Sequence, residues 1–257
     1  MNVNTEPVIR VEDLTVAYGD TVVLEDINFE VRPGEIFVIL GGSGCGKSTL
    51  LKHMISLREP AKGRILIDGM DIVAAKGSEL LDILRRIGVM YQNSALFGSM
   101  TLMDNICLVL EEFTHLPRAA MEMIALMKLH VVGLADAAYK MPSELSGGMK
   151  KRAAVARAIA LDPQILFLDE PSAGLDPVTS AQVDELILKL SQNLKMTFVI
   201  VSHELPSIFT VADRVIMLDK NAKTIIATGK PDELRDRSDN PWVRQFFNRR
   251  ADAETTE

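Results

Sequence analysis

Strand-like and helix-like patterns of apolar residues alternate along the chain, separated by glycine and proline turns. Residues 8–31 alternate apolar and polar positions and are rich in β-branched side chains, which predicts short antiparallel strands. The apolar run 36–40 predicts a buried strand, and 49–55 predicts a helix with its apolar residues on one face. A glycine-bounded segment at 63–69 predicts one more strand.

The rhythm of the pattern changes in the middle of the chain. Residues 94–141 are rich in Met, Leu, Ala and Glu and are interrupted at 113–117, which predicts a helical insertion. Beyond the insertion, helix and strand patterns alternate, with helices near 150–161 and 178–194 and strands at 165–168 and 197–201. This alternation is typical of βαβ units in a parallel sheet. We therefore expect an α/β fold with a mostly parallel central sheet, an N-terminal antiparallel β subdomain and an inserted helical subdomain.

Composition narrows the classes of function. The 257 residues, 47% of them apolar, suffice for one large α/β domain with a sizeable core. A net charge of −7 disfavours a general nucleic-acid binder. The two cysteines, Cys45 and Cys107, form no CxxC pair, which favours a reducing compartment and no structural metal. We find no secretion signal in residues 1–7 and no apolar run near the roughly 18 residues of a membrane helix, so we expect other chains to cross any membrane.

The most specific chemical motif is the glycine loop, Gly41–Ser48, which matches G-x-x-x-x-G-K-[ST]. It stands between the predicted strand and helix that a phosphate-binding loop requires, which disfavours a chance glycine turn. Glycines let the backbone approach a ligand, and N–H groups at a helix start attract anions. We expect Lys47 to reach the outer phosphates and Ser48 to offer its hydroxyl to Mg²⁺. The expected nucleotide contacts here are Gly41, Gly42, Ser43, Gly44, Cys45, Gly46, Lys47, Ser48 and Thr49.

A second motif places two carboxylates after the apolar run 165–168. The carboxyl ends of parallel strands are the edge at which α/β folds bind ligands. We expect Asp169 to hold Mg²⁺ through water and Glu170 to orient or deprotonate the water that attacks the γ-phosphate. The alternative, an ordinary strand end with solvated acids, loses weight because a phosphate-binding loop precedes it in the chain.

The third motif, Leu145–Met149, resembles the signature sequence of ATP-binding cassette (ABC) ATPases, and the resemblance covers nearly the full chain. It implies a P-loop NTPase of ABC type that uses ATP. By the same resemblance Tyr18 stacks on adenine, Gln92 links the metal site to the helical subdomain, Asp176 belongs to the D-loop, and His203 is the switch histidine. Each of these four matches is weak alone, since a strand Tyr is often core and most histidines are structural.

The resemblance also implies a dimer. Ser146, Gly147 and Gly148 open a predicted helix and form a second anion site, which meets the γ-phosphate bound by a partner subunit. Met149 departs from the Gln that many members carry there. The implied catalytic residues are Glu170, His203, Gln92 and Lys47, and the implied metal ligands are Ser48, Gln92 and Asp169. The implied ATPase domain spans 8–240, with the helical subdomain at about 94–150 and a C-terminal tail at 241–257.

Three segments, 93–101, 141–152 and 240–247, are similar to the Mla-type ATPases that work with MCE proteins in bacterial phospholipid transport. This similarity implies a homodimer with transmembrane permease subunits, an MCE protein and a STAS-domain protein, peripheral on the cytoplasmic face of the inner membrane and without nucleic acid. Two alternatives remain open: the ATPase of an amino-acid or oxyanion importer, and an ABC protein that acts on DNA or ribosomes. The sequence leaves open the direction of transport, the lipid headgroup, the stoichiometry and the role of the tail.

Two segments allow two interpretations each. Phe97 either anchors the membrane partner, in a segment expected to face it, or belongs to the core of the helical subdomain. The tail at 240–247 predicts a short helix, with Pro241 near its first position, that packs on its own domain or on a partner. Cys45 is a small filler of the loop or, if reachable, a place where alkylation blocks nucleotide entry.

Overall fold

The structure, a computed structural model, describes residues 6–249. The strands are β1 (Ile9–Tyr18), β2 (Thr21–Val31), β3 (Ile36–Gly41), β4 (Lys62–Ile67), β5 (Met70–Asp71), β6 (Ile87–Met90), β7 (Ile165–Asp169), β8 (Thr197–Val201), β9 (Arg214–Leu218) and β10 (Ile225–Gly229). The helices are α1 (Lys47–Met54), α2 (Ser78–Leu84), α3 (Leu102–Phe113), α4 (Arg118–Val131), α5 (Gly147–Ala158), α6 (Pro177–Leu194), α7 (Leu205–Val211), α8 (Pro231–Arg237) and α9 (Pro241–Asn248). Short 3-10 turns lie at Ala135–Ala137 and Pro142–Glu144.

The chain forms two compact units. The first unit takes the residues up to Ala74 and those from Val201 onward, and the second unit takes Ala75–Ile200. The expectation of no secretion signal partly rests on residues 1–5, which lie outside the described residues. Positions 250–257 of the predicted tail also lie outside them. None of the helices within 6–249 combines the length and the apolar character that crossing a bilayer requires.

The first unit holds an antiparallel sheet in the order β2-β1-β4-β5 and the strands β10-β9-β3. β9 runs parallel to β3, and β10 returns antiparallel to β9. All six residues of β3 are buried, as expected for a strand that is covered on both faces. Arg214 fixes the start of β9, since it lies 4.9 Å from the centre of the Phe37 ring and donates to Glu35 at 2.7 Å.

The second unit holds the strands β8-β7-β6, with β6 parallel to β7. The segment between β6 and β7 is mainly helical and contains α3, α4 and α5. α5 approaches β6 so closely that a Cβ on Gly88 would lie 2.2 Å from the carbonyl oxygen of Ala158. Glycine is therefore required at that position of β6, and it brings α5 against the sheet.

These elements confirm the α/β class, the N-terminal antiparallel sheet and the parallel pairing. α5 begins at Gly147, where Ser146, Gly147 and Gly148 were predicted to open a helix, and Ser146 caps it by accepting a hydrogen bond from the N–H of Met149. The apolar run 215–218 lies in β9, a strand to which the sequence analysis gave no prediction. The limits predicted for the helical subdomain stay a prediction.

The tail helix α9 packs on its own unit, which is one of the two interpretations of that segment. Asn240 caps it by accepting from the N–H of Trp242 at 3.0 Å. Val243 and Phe247 are buried, and the rings of Phe247 and Phe209 meet edge to face at 5.8 Å. The ring of Trp242 stays 41% exposed, so one aromatic side chain of α9 is available on the surface.

Candidate functional site

The glycine loop has a packed inner side and an open outer side. A Cβ on Gly41 would lie 2.4 Å from the carbonyl oxygen of Leu218, and one on Gly46 would lie 3.0 Å from Leu24 Cγ. At Gly42 and Gly44 a Cβ would meet nothing within 4 Å. The inner glycines let the loop lie against the sheet, and the outer ones leave its backbone accessible to a ligand.

Lys47 lies folded over the glycine loop. Its Nζ donates to the carbonyl oxygens of Gly41, at 2.8 Å, and Gly42, at 3.1 Å. Lys47 is also the first residue of α1, which has no side-chain cap and no acidic residue in its first turn. The helix dipole and the N–H groups of this first turn favour an anion there. A phosphate can replace the two carbonyls as the partner of Lys47.

Tyr18 ends β1 with its ring 41% exposed, so it is not part of the core. Its hydroxyl donates to Thr49 Oγ1 at 3.4 Å, which ties the ring to the first turn of α1. The guanidinium carbon of Arg58 lies 4.8 Å from the ring centre in a cation–π contact. Arg58 is a neighbour of this site that the sequence did not reveal, since it stands in no motif.

Cys45 is 2% exposed, and its sulfur occupies the space next to Gly41, where a Cβ would come within 2.6 Å of it. Burial raises the pKa of the Cys45 thiol, and the nearby charge of Lys47 opposes that change without cancelling it. A neutral, buried thiol is a poor nucleophile. The structure therefore supports the filler interpretation.

His203 lies in the first unit, two residues after the end of β8. The preceding residue, Ser202, is buried, and its N–H donates to the carbonyl oxygen of Ile39 in β3 at 3.3 Å. The His203 ring is exposed, with Nε2 3.7 Å from Glu204 Oε1. The first unit therefore contains Tyr18, the glycine loop and His203, and β3 anchors both the loop and the residue before the histidine.

The acidic pair ends β7 in the second unit. Asp169 and Glu170 are 8% and 6% exposed, so the interpretation as solvated surface acids does not fit. Glu170 adopts φ 50°, in the left-handed region that costs a non-glycine residue free energy. Such backbone strain persists only where the surroundings hold it, and it is concentrated at functional sites.

Lys151, on the second turn of α5, holds this strained position. Its Nζ donates to the carbonyl oxygens of Gln92, at 2.5 Å, and Glu170, at 3.0 Å. Burial lowers the pKa of Lys151, while the charges of Glu170 and Asp169 oppose that change. In the sequence Lys151 stands within Lys150-Lys151-Arg152, which has the pattern of a solvated basic face and gave no signal of burial.

Gln92 is the second residue of the loop 91–101 between β6 and α3, which we call the glutamine loop. Arg157 of α5 donates to the carbonyl oxygens of Ala95, at 2.6 Å, and Ser94, at 3.2 Å. These two residues have positive φ, 48° and 62°.

A second helix holds the glutamine loop near Phe97. Asn105 of α3 accepts a hydrogen bond from the N–H of Phe97 at 2.8 Å. Two helices therefore fix the backbone of the glutamine loop.

Phe97 is 50% exposed, so the interpretation that places it in the core of the helical subdomain is wrong in this structure. The buried amide of Asn105 bonds both the N–H and the carbonyl oxygen of Phe97. The loop backbone is thus rigidly held while the ring faces outward. An exposed aromatic ring on a fixed backbone is suited to contact a partner.

The signature residues open α5. Ser146 is its N-cap, Gly147 is exposed, and Gly148 is buried where a Cβ would meet Thr179 Cγ2 at 2.2 Å. Gly148 is therefore required for close packing of α5 on α6.

Asp176 caps α6. Its carboxylate accepts from the backbone N–H of Thr179 at 3.1 Å and from the Thr179 hydroxyl at 2.5 Å. The hydrogen bond from the Thr179 hydroxyl is the main cause of a lowered pKa of Asp176, and the hydrogen bonds from backbone N–H groups lower it further.

The chemistry of the predicted Mg²⁺ ligands fits that ion. Ser48 offers a hydroxyl, Gln92 an amide oxygen and Asp169 a carboxylate, all hard oxygen donors. Within residues 6–249, no group of three or more His, Cys, Asp and Glu side chains is gathered as a metal site. The predicted ligand set requires no such group, since it depends on one carboxylate and on oxygens of other kinds.

The predicted residues thus fall into two sets. Tyr18, residues 41–49 and His203 belong to the first unit, and Gln92, Ser146–Gly148, Asp169, Glu170 and Asp176 belong to the second. An α/β fold with a phosphate-binding loop and an acidic strand end defines a P-loop nucleoside triphosphatase.

Comparison with known proteins identifies the family. The model of the ABC transporter family matches residues 24–173, more than half of the chain. The chain belongs to the ABC transporter family. It is the subunit of such a transporter that binds and hydrolyses ATP.

Two relatives and one solved structure illustrate the similarity. The chain is 43% identical to the "Probable ribonucleotide transport ATP-binding protein mkl" of Mycobacterium leprae, over 94% of this chain and 69% of that protein. It is 41% identical to the "Intermembrane phospholipid transport system ATP-binding protein MlaF" of Haemophilus influenzae, over 95% of this chain and 91% of that protein. The dimeric structure of the ATP-binding cassette MJ0796, bound to ADP and Pi, matches with a TM-score of 0.78 and 30% identity, covering 86% of this chain and 98% of that chain.

Proposed function

We propose that this chain is the ATPase subunit that drives phospholipid transport between the inner and outer membranes of a bacterium. The observation that carries the proposal is the similarity to the MlaF protein, which extends over nearly the whole of both chains. The proposed partners are a second copy of the chain, transmembrane permease subunits, an MCE protein and a STAS-domain protein. The proposed location is the cytoplasmic face of the inner membrane.

The first unit supplies the groups that would bind the nucleotide. Tyr18 presents an exposed ring on which adenine can stack. Lys47 exchanges the carbonyls of Gly41 and Gly42 for phosphate oxygens, and the N–H groups of the first turn of α1 face the same anion. His203 serves as the switch residue beside the γ-phosphate.

The second unit supplies the groups that would act on the γ-phosphate. Glu170 orients or deprotonates the attacking water, and its burial keeps it away from bulk solvent. Gln92 and Asp169 of this unit, with Ser48 of the first unit, would hold Mg²⁺, which when bound would neutralise charge on the phosphate oxygens. Gln92 belongs to the loop that also presents Phe97, so the same loop serves the metal and the membrane partner. Asp176 positions the start of α6 next to the signature.

The signature would act across a dimer. Ser146, Gly147 and Gly148 at the start of α5 bind the γ-phosphate held by Lys47 of the partner copy, so that ATP joins two chains. With Mg-ATP and Glu170→Gln to prevent hydrolysis, light scattering should report a dimer. Ser146→Arg should abolish that dimer, and Ser143→Arg, on the exposed turn before α5, should not. A mass that never responds to ATP, with the membrane partner present as well, would contradict the composite site.

A second transported substrate has a specific observation in its favour, because the similar mkl protein carries a ribonucleotide transport name. The ATPase chemistry would be the same in both cases, and only the membrane partners would differ. The two functions are therefore separated by the cargo and not by this chain's own site.

The test is to purify the full chain from detergent-solubilised membranes and to identify the co-purifying subunits and lipids. The complex is then reconstituted into vesicles with either a fluorescent phospholipid or a ribonucleotide. The proposal predicts ATP-dependent movement of the phospholipid alone, abolished in the Lys47→Ala control. Movement of the ribonucleotide, or recovery of a complex without bound phospholipid, would overturn the assignment to lipid transport.

A further inference from the structure

Lys151 is a buried cation in the middle of the second unit, with 6% of its surface exposed. Lysine is seldom buried to this degree unless its charge is paired. Burial lowers its pKa, and the nearby carboxylates of Glu170 and Asp169 partly compensate. Its burial therefore follows from specific contacts and not from the basic character of the segment around it.

The two acceptors of Lys151 are backbone carbonyls at separate places in the chain. One belongs to Gln92 at the start of the glutamine loop, and the other belongs to Glu170 at the end of β7. Hydrogen bonds from a charged donor are shorter and stronger than those between neutral groups. One ammonium group therefore joins the two backbone positions that carry the glutamine and the glutamate of the proposed ATPase site.

Both positions need support, because neither lies in regular structure. Glu170 has φ 50°, and the glutamine loop continues through the positive φ angles of Ser94 and Ala95. A non-glycine residue at positive φ is strained and keeps its conformation only when its surroundings enforce it. Lys151 enforces the first position and Arg157 the second, both from α5. The helix that begins with the signature thus holds the backbone of both segments.

We propose that Lys151 is a positioning residue for ATP hydrolysis. By donating to both backbone carbonyls, it fixes the positions of Gln92 and Glu170 relative to each other. The inference rests on the proposed roles of those two side chains. Lys151 reaches the reaction only through the backbone of its neighbours, so it should govern the rate of turnover and not the affinity for nucleotide. It also links movement of the glutamine loop, which carries Phe97, to the placement of Glu170.

The test compares Lys151→Met with Lys150→Met in the full chain, with any co-purifying membrane subunits. Lys151→Met keeps most of the side-chain volume but removes both hydrogen bonds, whereas Lys150, on the same helix, is part of neither contact. We expect Lys151→Met to lower kcat by about tenfold or more, as small misplacements of catalytic groups do, with KM for ATP nearly unchanged. Lys151→Arg should restore part of kcat, since it keeps a charged donor.

Hydrogen exchange supplies a readout that does not depend on turnover. The N–H of Ser94 bonds Tyr91 O at 2.8 Å, and the N–H of Ala173 bonds Glu170 O at 3.2 Å. In Lys151→Met both amides should exchange faster than in Lys150→Met, while the amides of α3 stay protected. If Lys151→Met is too unstable to purify, the same comparison is made with Lys151→Gln, which keeps a shorter polar side chain.

The outcomes separate this inference from the proposed function. Wild-type kcat in a folded Lys151→Met, or equal exchange at Ser94 and Ala173 in both variants, would overturn the positioning role and leave the ATPase assignment intact. A change in KM as large as the change in kcat would assign Lys151 to general stability and overturn the inference as well. Full turnover in Glu170→Gln would refute the assumed role of Glu170, and with it both the site assignment and the inference.

Discussion

The glycine loop and the turn at Glu170 both hold backbone at positive φ, but they do so by different means. In the loop the positive φ angles fall on glycines, which adopt them without strain, and Lys47 bonds carbonyls only five and six residues away. At Glu170 a non-glycine residue is strained, and Lys151 holds it together with Gln92, 59 residues distant from that lysine. The loop is specified locally, whereas the turn depends on long-range contacts.

This difference has a physical consequence. A local structure tolerates changes elsewhere in the chain, because its conformation follows from its own residues. A strained turn that is held from a distance responds to whatever moves its support. In the second unit that support is α5, which also fixes the glutamine loop. We therefore propose that the glycine loop sets the affinity for nucleotide, and that the turn at Glu170 sets the rate of hydrolysis and responds to movement of α5.

The largest effect is expected at the turn itself. Glu170→Gln should reduce ATP turnover by roughly 10²-fold or more, because the amide cannot act as a base and orients water less well. The measurement is phosphate release by the purified complex under saturating Mg-ATP. Glu144→Gln, an acidic residue in the 3-10 turn before α5, provides the control and should keep its turnover. Wild-type turnover in Glu170→Gln would remove this residue from the chemistry.

The exposed ring of the glutamine loop should affect assembly and leave stability unchanged. Phe97→Ala should lose co-purification with the membrane subunits, since aromatic anchors carry much of an interface. Its Tm should shift by less than about 2 °C, because surface substitutions change the free energy of unfolding by about 0.5 kcal/mol or less. Tyr139→Ala, on another exposed aromatic residue of the second unit, is the matched control. Intact complex formation with unchanged Tm would show that Phe97 contacts no partner.

The smallest effect is expected inside the glycine loop. Cys45→Ala should change the nucleotide Kd by less than about twofold, since it removes only a small buried filler from a locally specified loop. Maleimide should modify the native chain slowly, because Cys45 is 2% exposed and burial raises the pKa of its thiol. Rapid modification that ATP prevents would show an accessible thiol and would restore the interpretation that alkylation blocks nucleotide entry.

The two regions also differ in how well the sequence predicts them. The glycine loop, its flanking strand and its helix could be predicted because all of their determinants lie within residues 36–55. The cap of α5 by Ser146 and the buried strand β7 were equally local. Lys151 could not be predicted, because its partners lie far away in sequence and its neighbours suggest a solvated basic face. The sequence leaves the exposure of Phe97 undecided for a different reason: Asn105 is only eight residues away, but its bonds to the backbone of Phe97 form only in the folded loop.

The most direct test of the division between the two regions is the equilibrium Kd for a fluorescent ATP analogue, measured for the wild type, Lys47→Ala and Glu170→Gln under identical conditions. Lys47→Ala should raise Kd by about tenfold or more, the effect of losing charged hydrogen bonds to phosphate. Glu170→Gln should keep a Kd within about threefold of the wild type, because the change leaves the loop intact. Equal loss of affinity in both variants, or undiminished binding in Lys47→Ala, would contradict the account.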